Sequence, residues 1–257
     1  MLPIKDDIPT RRFPIVTVVI IAINVIVFFG FQVTNLSLDG ATINDETTQK
    51  YAAIPYEVTH PGDQCINAEQ CVPERDAEAA TGESFPPTIL TVFTAMFMHG
   101  GLLHIAFNML FLWIFGNNIE DSMNRALFVV FYLAGGVVAT LSQTLLDTNS
   151  TIPTLGASGA IAAVLGGYAL LYPRARVLTL VIIIFFVTII RLPALFVLGA
   201  WILLQFLGWS TQSADGSGGG VAYMAHIGGF LFGLAAIRLF ATNVQDDYES
   251  AHRLPVY

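Results

Sequence analysis

The stretch VLTLVIIIFFVTIIRLP, residues 177–193, decides how many times this chain crosses a membrane, and with that its fold. Its apolar part, residues 177–190, offers about 14 residues, whereas a helix that spans the bilayer needs close to 20. Arg191 and Pro193 then separate it from the next apolar run, because proline lacks a backbone donor and breaks a helix. We therefore predict that residues 177–190 do not form a spanning helix of their own.

Six other apolar segments are candidates for spanning helices. They cover residues 13–31, 102–119, 126–146, 156–172, 192–207 and 221–240. The composition agrees with a lipid solvent, since 54% of the 257 residues are hydrophobic and only 12% are charged, against roughly 25% charged in an ordinary soluble domain. We predict an all-α, polytopic membrane protein with a bundle of six transmembrane helices, and we treat residues 1–257 as a single membrane domain.

The distribution of basic residues predicts the orientation of these helices. With a cytoplasmic N-terminus, nine of the eleven Lys and Arg residues lie on the inner side and only Lys50 and Arg75 lie outside, as the positive-inside rule requires. A seven-span arrangement would move Arg238 and Arg253 outside without improving any other loop. We therefore expect a multi-pass protein of the cell (plasma) membrane with its N-terminus in the cytoplasm.

The segment at about 34–88 becomes a long exterior loop in this arrangement. It carries most of the net charge of -8, because residues 36–87 hold ten acidic residues against Lys50 and Arg75. Cys65 and Cys71 both lie in this loop, and either a disulfide or a pair of free buried thiols is compatible with the sequence. No basic patch could neutralise a run of phosphates, so nucleic acid is set aside as a partner.

Ser158 and His226 are the candidates for catalysis within the apolar segments. Polar and ionisable groups are costly inside a bilayer, so they tend to serve a function. Taken singly, Ser158, flanked by Gly156 and Gly159, could simply let helices approach, and His226 could make an interhelical hydrogen bond. With six spans, however, both residues lie a few positions into helices of the same direction, and therefore at a similar depth.

Small residues allow these two helices to meet. Gly159 and Gly166 lie on one helix, and Gly229 and Gly233 lie in a GxxxG spacing on the other, which permits close backbone contact. A serine hydroxyl needs a base to become a nucleophile, and a histidine within about 2.6 to 3.2 Å can serve. Neither segment contains Asp or Glu, so we predict a serine–histidine dyad and not a triad.

His104 and Asn108 are candidates for stabilising the oxyanion. Their i, i+4 spacing puts them on one face of the second helix, and with the Ser158 backbone N–H they could donate hydrogen bonds to the developing charge. The alternative for Asn108 is a structural helix–helix hydrogen bond. A metal site of His99, His104 and His226 has poor support, because no HExxH motif and no nearby acidic residue accompanies them. We expect no metal and no cofactor.

Three motifs resemble those of the rhomboid intramembrane serine proteases, in the family's order across six helices. They are HGGLLHIAFN (residues 99–108), GASGA (156–160) and AHIGGF (225–230), within a resemblance that covers roughly residues 91–240. The resemblance implies a serine endopeptidase that acts in the lipid bilayer and cleaves within or next to transmembrane segments of membrane-protein substrates, through an acyl-enzyme. A catalytically inactive relative that binds membrane proteins is the alternative, although such relatives usually lack the serine or the histidine.

The resemblance also implies roles for individual residues. Ser158 is expected to be the nucleophile, His226 the general base, and His104 with Asn108 part of the oxyanion hole. These are the roles that the residue types and spacings suggest on their own.

Other positions are compared with the family in the same way. His99 resembles the family's structural histidine, and Glu120 resembles the acidic residue that steadies the second helix at its inner end. Leu90 and Thr91 stand where some members carry a Trp-Arg pair, and Ala162 stands where some members have a tyrosine that stacks on the catalytic histidine. The sequence therefore does not indicate what holds the histidine ring in place.

Overall fold

The computed structural model describes residues 2–37, 40–67, 69–183, 186–215 and 220–244 of the chain. Helices dominate the structure, and five of them are long and apolar enough to cross a membrane: Ile15–Gln32, Leu102–Asp121, Arg125–Leu146, Ala194–Gln212 and Tyr223–Phe240. Another apolar helix, Ser158–Leu171, is shorter, at 14 residues. The predicted polytopic helical fold is therefore confirmed.

The spanning helices alternate with short helices and turns. In chain order the α-helices of the described residues are α1 (Ile15–Val27), α2 (Asp45–Tyr51), α3 (Pro55–Thr59), α4 (Glu74–Thr81), α5 (Thr88–Thr94), α6 (Leu102–Phe111), α7 (Asn117–Asp121), α8 (Arg125–Leu146), α9 (Ser158–Leu171), α10 (Ala194–Asp215) and α11 (Tyr223–Phe240). A π-helical turn at Phe28–Gln32 extends α1, and a second at Leu112–Gly116 joins α6 to α7 in one span.

Short antiparallel sheets accompany the helices, which the sequence analysis did not predict. The strands are β1 (Leu2–Asp6), β2 (Val33–Ser37), β3 (Gly40–Ile43), β4 (Asp63–Asn67), β5 (Gln70–Pro73), β6 (Arg176–Ile183) and β7 (Phe186–Pro193). They pair as β1–β6–β7, β2–β3 and β4–β5.

The stretch that governs the span count forms the antiparallel hairpin β6–β7. Residues 177–190 therefore do not form a spanning helix, as predicted, and their many β-branched residues explain why they form strands. Val177 and Thr179 point to the same side of β6 and are fully buried, as the two-residue period of a strand requires. Strand β1 pairs with β6, so the N-terminus and this hairpin share one sheet.

Helix α9 lies at the centre of the bundle. Residues 159–169 are all buried, as expected for a helix that is apolar on every side. Glycines bring α11 against it, because a methyl group added at Gly229 would clash with the carbonyl oxygen of Gly159, and one at Gly233 with that of Ala163. The predicted close contact between these two helices is present.

Glu120 lies at the end of the bundle opposite to Ser158. Its carboxylate accepts hydrogen bonds from the backbone N–H groups of Val16 at 3.1 Å and Thr17 at 2.8 Å, in the first turn of α1. Those amides have no partner within their own helix, so the carboxylate caps α1. Next to it, Asp121 forms an ion pair with Arg11 at 2.9 Å. The acidic end of the second span thus fixes the start of the first.

The acidic segment contains a disulfide between Cys65 and Cys71, which joins β4 to β5. This settles the choice between a disulfide and free thiols. The buried carboxylate of Glu57 accepts the backbone N–H of Cys65 at 2.8 Å. Burial raises the pKa of Glu57 to about 7, because a carboxylate loses hydration inside the protein.

The acidic segment is tied to the loop that leads into α9. Ala53 and Thr154 exchange two backbone hydrogen bonds, at 3.0 and 2.8 Å, and the N–H of Tyr56 donates to the carbonyl of Ser150 at 2.9 Å. These backbone hydrogen bonds therefore join the acidic segment to the loop that immediately precedes α9.

Candidate active site

Ser158 and His226 are in direct hydrogen-bond contact. The Oγ of Ser158 lies 2.7 Å from Nε2 of His226, within the range that proton transfer requires. Ser158 is the first residue of α9, and His226 lies in the first turn of α11. Both side chains are only partly buried, because each stands at the end of its helix. The similar depth predicted for the two residues is what allows this contact.

Gln205 of α10 holds the other nitrogen of the His226 ring. Its Oε1 lies 2.7 Å from Nδ1 of His226, and its Nε2 donates to the carbonyl of Trp201 at 3.2 Å. Because the Gln205 Nε2 is engaged as a donor to Trp201, the Gln205 Oε1 is the acceptor that faces the histidine ring. The His226 Nδ1 therefore carries the hydrogen. Nε2 of His226 is then free to accept the proton of the Ser158 hydroxyl.

Trp201 also packs against the His226 ring, with ring centroids 5.7 Å apart and planes at 39°. This indole takes the place of the stacking tyrosine that Ala162 cannot supply. Neither Trp201 nor Gln205 is among the site residues predicted from the sequence. The only signal for Gln205 is an uncharged amide in an otherwise apolar span, and it does not show which neighbour the amide faces.

His104 presents a donor to the turn before Ser158. Its Nδ1 accepts the backbone N–H of Gly100 at 3.1 Å, which leaves Nε2 as the protonated nitrogen. Gly156 has a φ of 128°, and a Cβ there would lie 2.9 Å from Nε2 of His104. Both the backbone conformation and the close ring approach require glycine at this position.

Asn108 lies one turn further along α6 and is buried. It lines the same cavity as Ser158, His226 and His104, which has a volume of about 710 Å³. Ser158, His226, His104 and Asn108 are therefore brought together around one space. His99, Gly156, Gly159, Gly229 and Gly233 support this space from outside its lining, and Glu120 lies at the far end of the bundle.

His99 is fully buried and does not line the cavity. Its ring meets the His104 ring edge-on, with centroids 5.1 Å apart. Burial lowers the pKa of His99 to about 3, so the ring is neutral. Gln32 clamps its backbone, accepting the N–H at 2.9 Å and donating to the carbonyl at 3.3 Å. These contacts fit a structural histidine that supports His104.

A domain model described as "Rhomboid domain" matches residues 86–243. The chain is 27% identical over 150 residues to "Rhomboid protein 1, mitochondrial" of Saccharomyces cerevisiae, covering 56% of this chain and 40% of that protein. It is 32% identical over 148 residues to "Presenilin-associated rhomboid-like protein A, mitochondrial" of Danio rerio, covering 56% and 36%. It is 29% identical over 159 residues to "Rhomboid protease GluP" of Bacillus subtilis, covering 62% and 24%. The matches thus span less than half the length of these relatives.

Proposed function

Because the chain belongs to the rhomboid family of polytopic helical membrane proteins, we propose that it is an intramembrane serine endopeptidase. Its substrates are membrane proteins, which it cleaves within or next to a transmembrane segment. The observation that carries the proposal is the 2.7 Å contact between Ser158 Oγ and His226 Nε2 inside a cavity.

Catalysis begins with attack of the Ser158 hydroxyl on the carbonyl carbon of the scissile bond. His226 Nε2 accepts the hydroxyl proton as the new C–O bond forms, and the carbonyl oxygen becomes negative. His104 Nε2, the Asn108 side-chain amide and the Ser158 backbone N–H are the donors available to that oxygen. Forming a negative charge on that oxygen without such donors would be costly.

The tetrahedral intermediate then collapses to an acyl-enzyme. His226 gives its proton to the leaving amine nitrogen, the C–N bond breaks, and the C-terminal fragment departs with that nitrogen as its new N-terminus, while the N-terminal fragment stays on Ser158 as an ester. A water molecule repeats the sequence on the ester, with His226 again acting as base, and releases the second fragment. Gln205 keeps the ring in the tautomer that both halves of the reaction need.

The alternative function is a catalytically inactive relative that binds membrane proteins. The protease is favoured because the serine and the histidine are both present and lie in hydrogen-bond contact. The name of one relative, "Rhomboid protease GluP", also supports the protease over the inactive alternative.

The direct test uses the purified full chain with a fluorophosphonate probe and a reporter that has one transmembrane segment. We expect wild type to label and to cleave, and Ser158→Ala and His226→Ala each to reduce cleavage at least about a thousandfold. Ser210→Ala and His60→Ala remove the same groups outside the cavity and are expected to leave both readouts unchanged. Robust cleavage by either active-site variant would exclude the dyad.

The orientation and the membrane are part of the proposal. We infer a single domain over residues 1–257, a cytoplasmic N-terminus, an exterior segment at about 34–88 and a location in the cell membrane. Two of the relatives have "mitochondrial" in their names, whereas the third is bacterial, so fractionation of the host cell is needed to identify the membrane.

Lysine chemistry tests the orientation. Lys5 and Lys50 are the only lysines in the chain. A membrane-impermeant amine reagent added to intact cells should therefore modify Lys50 and spare Lys5, and Lys50→Arg should abolish the labelling of internal peptides. Modification of Lys5 alone would show that the N-terminus lies outside, the opposite of the proposed orientation.

A further inference from the structure

The sheet β1–β6–β7 has a face that catalysis does not use. Strand pairing puts Lys5 of β1 opposite Leu178 of β6, and Leu178 opposite Arg191 of β7. Residues directly opposite each other in antiparallel strands project to the same face. Arg176 comes two residues before Leu178 and lies on that face as well. Three strands thus contribute three basic side chains to one surface, here called the basic face.

The basic face points away from the bundle. Lys5, Arg176 and Arg191 are exposed, whereas Val177 and Thr179 on the opposite face are fully buried. Within the described ranges, neither Arg176 nor Arg191 forms a salt bridge with a carboxylate. Both guanidinium groups are therefore available to an external anion.

The acidic groups beside the basic face are Asp6 and Asp7. Asp6 is buried on the other side of β1 and accepts a hydrogen bond from the Tyr168 hydroxyl at 2.7 Å. Asp7 accepts the backbone N–H of Arg176 at 2.8 Å. Asp6 is thus turned away from the basic face, whereas Asp7 lies at its edge beside Arg176. The three basic side chains outnumber this one carboxylate, so the face keeps a net positive charge.

The same face becomes apolar along the hairpin. Val187 and Ile189 lie four and two residues before Arg191 on β7, hence on its side of the strand. They are 63% and 55% exposed, although water-facing strands usually carry polar residues at such positions. The hairpin therefore carries positive charge at its open end, near Arg176 and Arg191, and exposed apolar side chains closer to its turn.

A cleft of about 500 Å³ joins the base of the hairpin to the start of α10. Arg174 and Arg176 line it together with Leu195 and Phe196. The latter two residues begin a spanning helix and are 55% and 54% exposed. Basic groups thus adjoin the lipid-facing surface of a span at the level where the helix enters the membrane.

We propose that the basic face and this cleft bind anionic phospholipid, with the arginines on the lipid phosphate and the acyl chains along Leu195 and Phe196. Guanidinium groups bind phosphate through paired hydrogen bonds, and a negatively charged leaflet attracts basic side chains near its surface. Val187 and Ile189 enter the boundary of the acyl region. The inference rests on membrane embedding and not on the catalytic proposal, so either can fail alone.

The test measures lipid selection by the full-length protein. Wild type and variants are reconstituted into vesicles of phosphatidylcholine with increasing phosphatidylglycerol, re-extracted in mild detergent, and examined by native mass spectrometry for retained lipid. We expect wild type to retain phosphatidylglycerol over phosphatidylcholine. Arg176→Gln with Arg191→Gln should lower this preference by about fivefold for each side chain removed.

Two further pairs make the outcome decisive. Arg75→Gln with Arg238→Gln has the same net charge and is expected to keep the wild-type preference. Arg176→Lys with Arg191→Lys restores the charge but not the paired hydrogen bonds, and should restore part of the preference. Unchanged lipid selection in the Arg176/Arg191 glutamine pair, an equal loss in the Arg75/Arg238 pair, or no recovery in the lysine pair would each overturn the proposal.

Discussion

Oε1 of Gln205 lies 2.7 Å from Nδ1 of His226, so the histidine base has an orienting partner, although no carboxylate of the described residues bonds to its ring. The amide is itself fixed, since its Nε2 donates to the Trp201 carbonyl in the preceding turn. An uncharged acceptor thus holds the ring in one tautomer without adding a buried negative charge, which would be costly in this setting.

Replacing Gln205 should slow the chemical step. Gln205→Met keeps the size of the side chain but removes the acceptor, and we expect kcat to fall about tenfold, the equivalent of one neutral hydrogen bond, with KM unchanged. Gln205→Glu restores an acceptor and should recover much of kcat, which a purely structural role would not predict. Ser210→Ala, on the same helix, is the control, and steady-state cleavage of the reporter is the measurement.

Removing the oxyanion donors should also act on kcat. We expect Asn108→Ala and His104→Ala each to lower kcat by about 10² to 10³, because each donor is used only when the carbonyl oxygen becomes negative. Labelling of Ser158 by the fluorophosphonate should be slowed in parallel. A variant that raises KM while leaving kcat intact would show that the side chain binds substrate instead.

The contact between α9 and α11 should depend on its glycines. A methyl group at Gly233 would clash with the carbonyl oxygen of Ala163, so Gly233→Ala should destabilise the protein by about 1–3 kcal/mol or more, as overpacking does, and should separate the catalytic pair. Gly199→Ala is the matched control in another span, because a Cβ there meets nothing within 4 Å. Thermal unfolding in detergent distinguishes the two, and equal melting temperatures would contradict the packing model.

Glu57 should make the acidic segment sensitive to pH. Burial raises its pKa from 4.5 to about 7, so the folded segment binds a proton more tightly than the unfolded one. The resulting stabilisation is fully present below about pH 4.5 and is lost as the pH rises through about 7.

Limited proteolysis at Arg75, followed between pH 5 and 8, measures this effect, and cleavage should accelerate as the pH rises. Glu57→Gln keeps an acceptor for the Cys65 amide but cannot ionise. Its proteolysis should therefore show a flatter pH dependence once the activity of the protease itself is normalised. The same slope in wild type and variant would assign the effect to another group.

Much of this fold follows from apolar segments alone. The lengths of the hydrophobic runs and the interruption at Arg191 and Pro193 were enough to predict the helical membrane fold and to exclude a spanning helix at residues 177–190. The strands β6 and β7 were not predicted, because a short run rich in β-branched residues has no helical period and gains its pairing partner, β1, from the distant N-terminus.

The candidate site was predictable where its residues stand in recognisable motifs. Ser158, His226, His104 and Asn108 all line one cavity. Gln205 was missed because its role depends on how α10 is rotated against α11, and a single amide in an apolar run does not reveal that rotation. Glu120 was expected to steady the inner end of the second helix, but the sequence does not show that its hydrogen bonds go to α1, a contact that only tertiary structure reveals.

The capping of α1 by Glu120 has a consequence for biogenesis. The first span leaves the ribosome long before Glu120 is synthesised, so the amides of Val16 and Thr17 have no carboxylate to bind while that helix waits in the bilayer. Insertion of the second span brings the carboxylate to these amides, and its hydrogen bonds join the end of the second span to the start of the first. A nascent chain arrested before Glu120 should therefore lack the carboxylate that caps its first helix, and the two spans should become joined at this end only when this residue has been added.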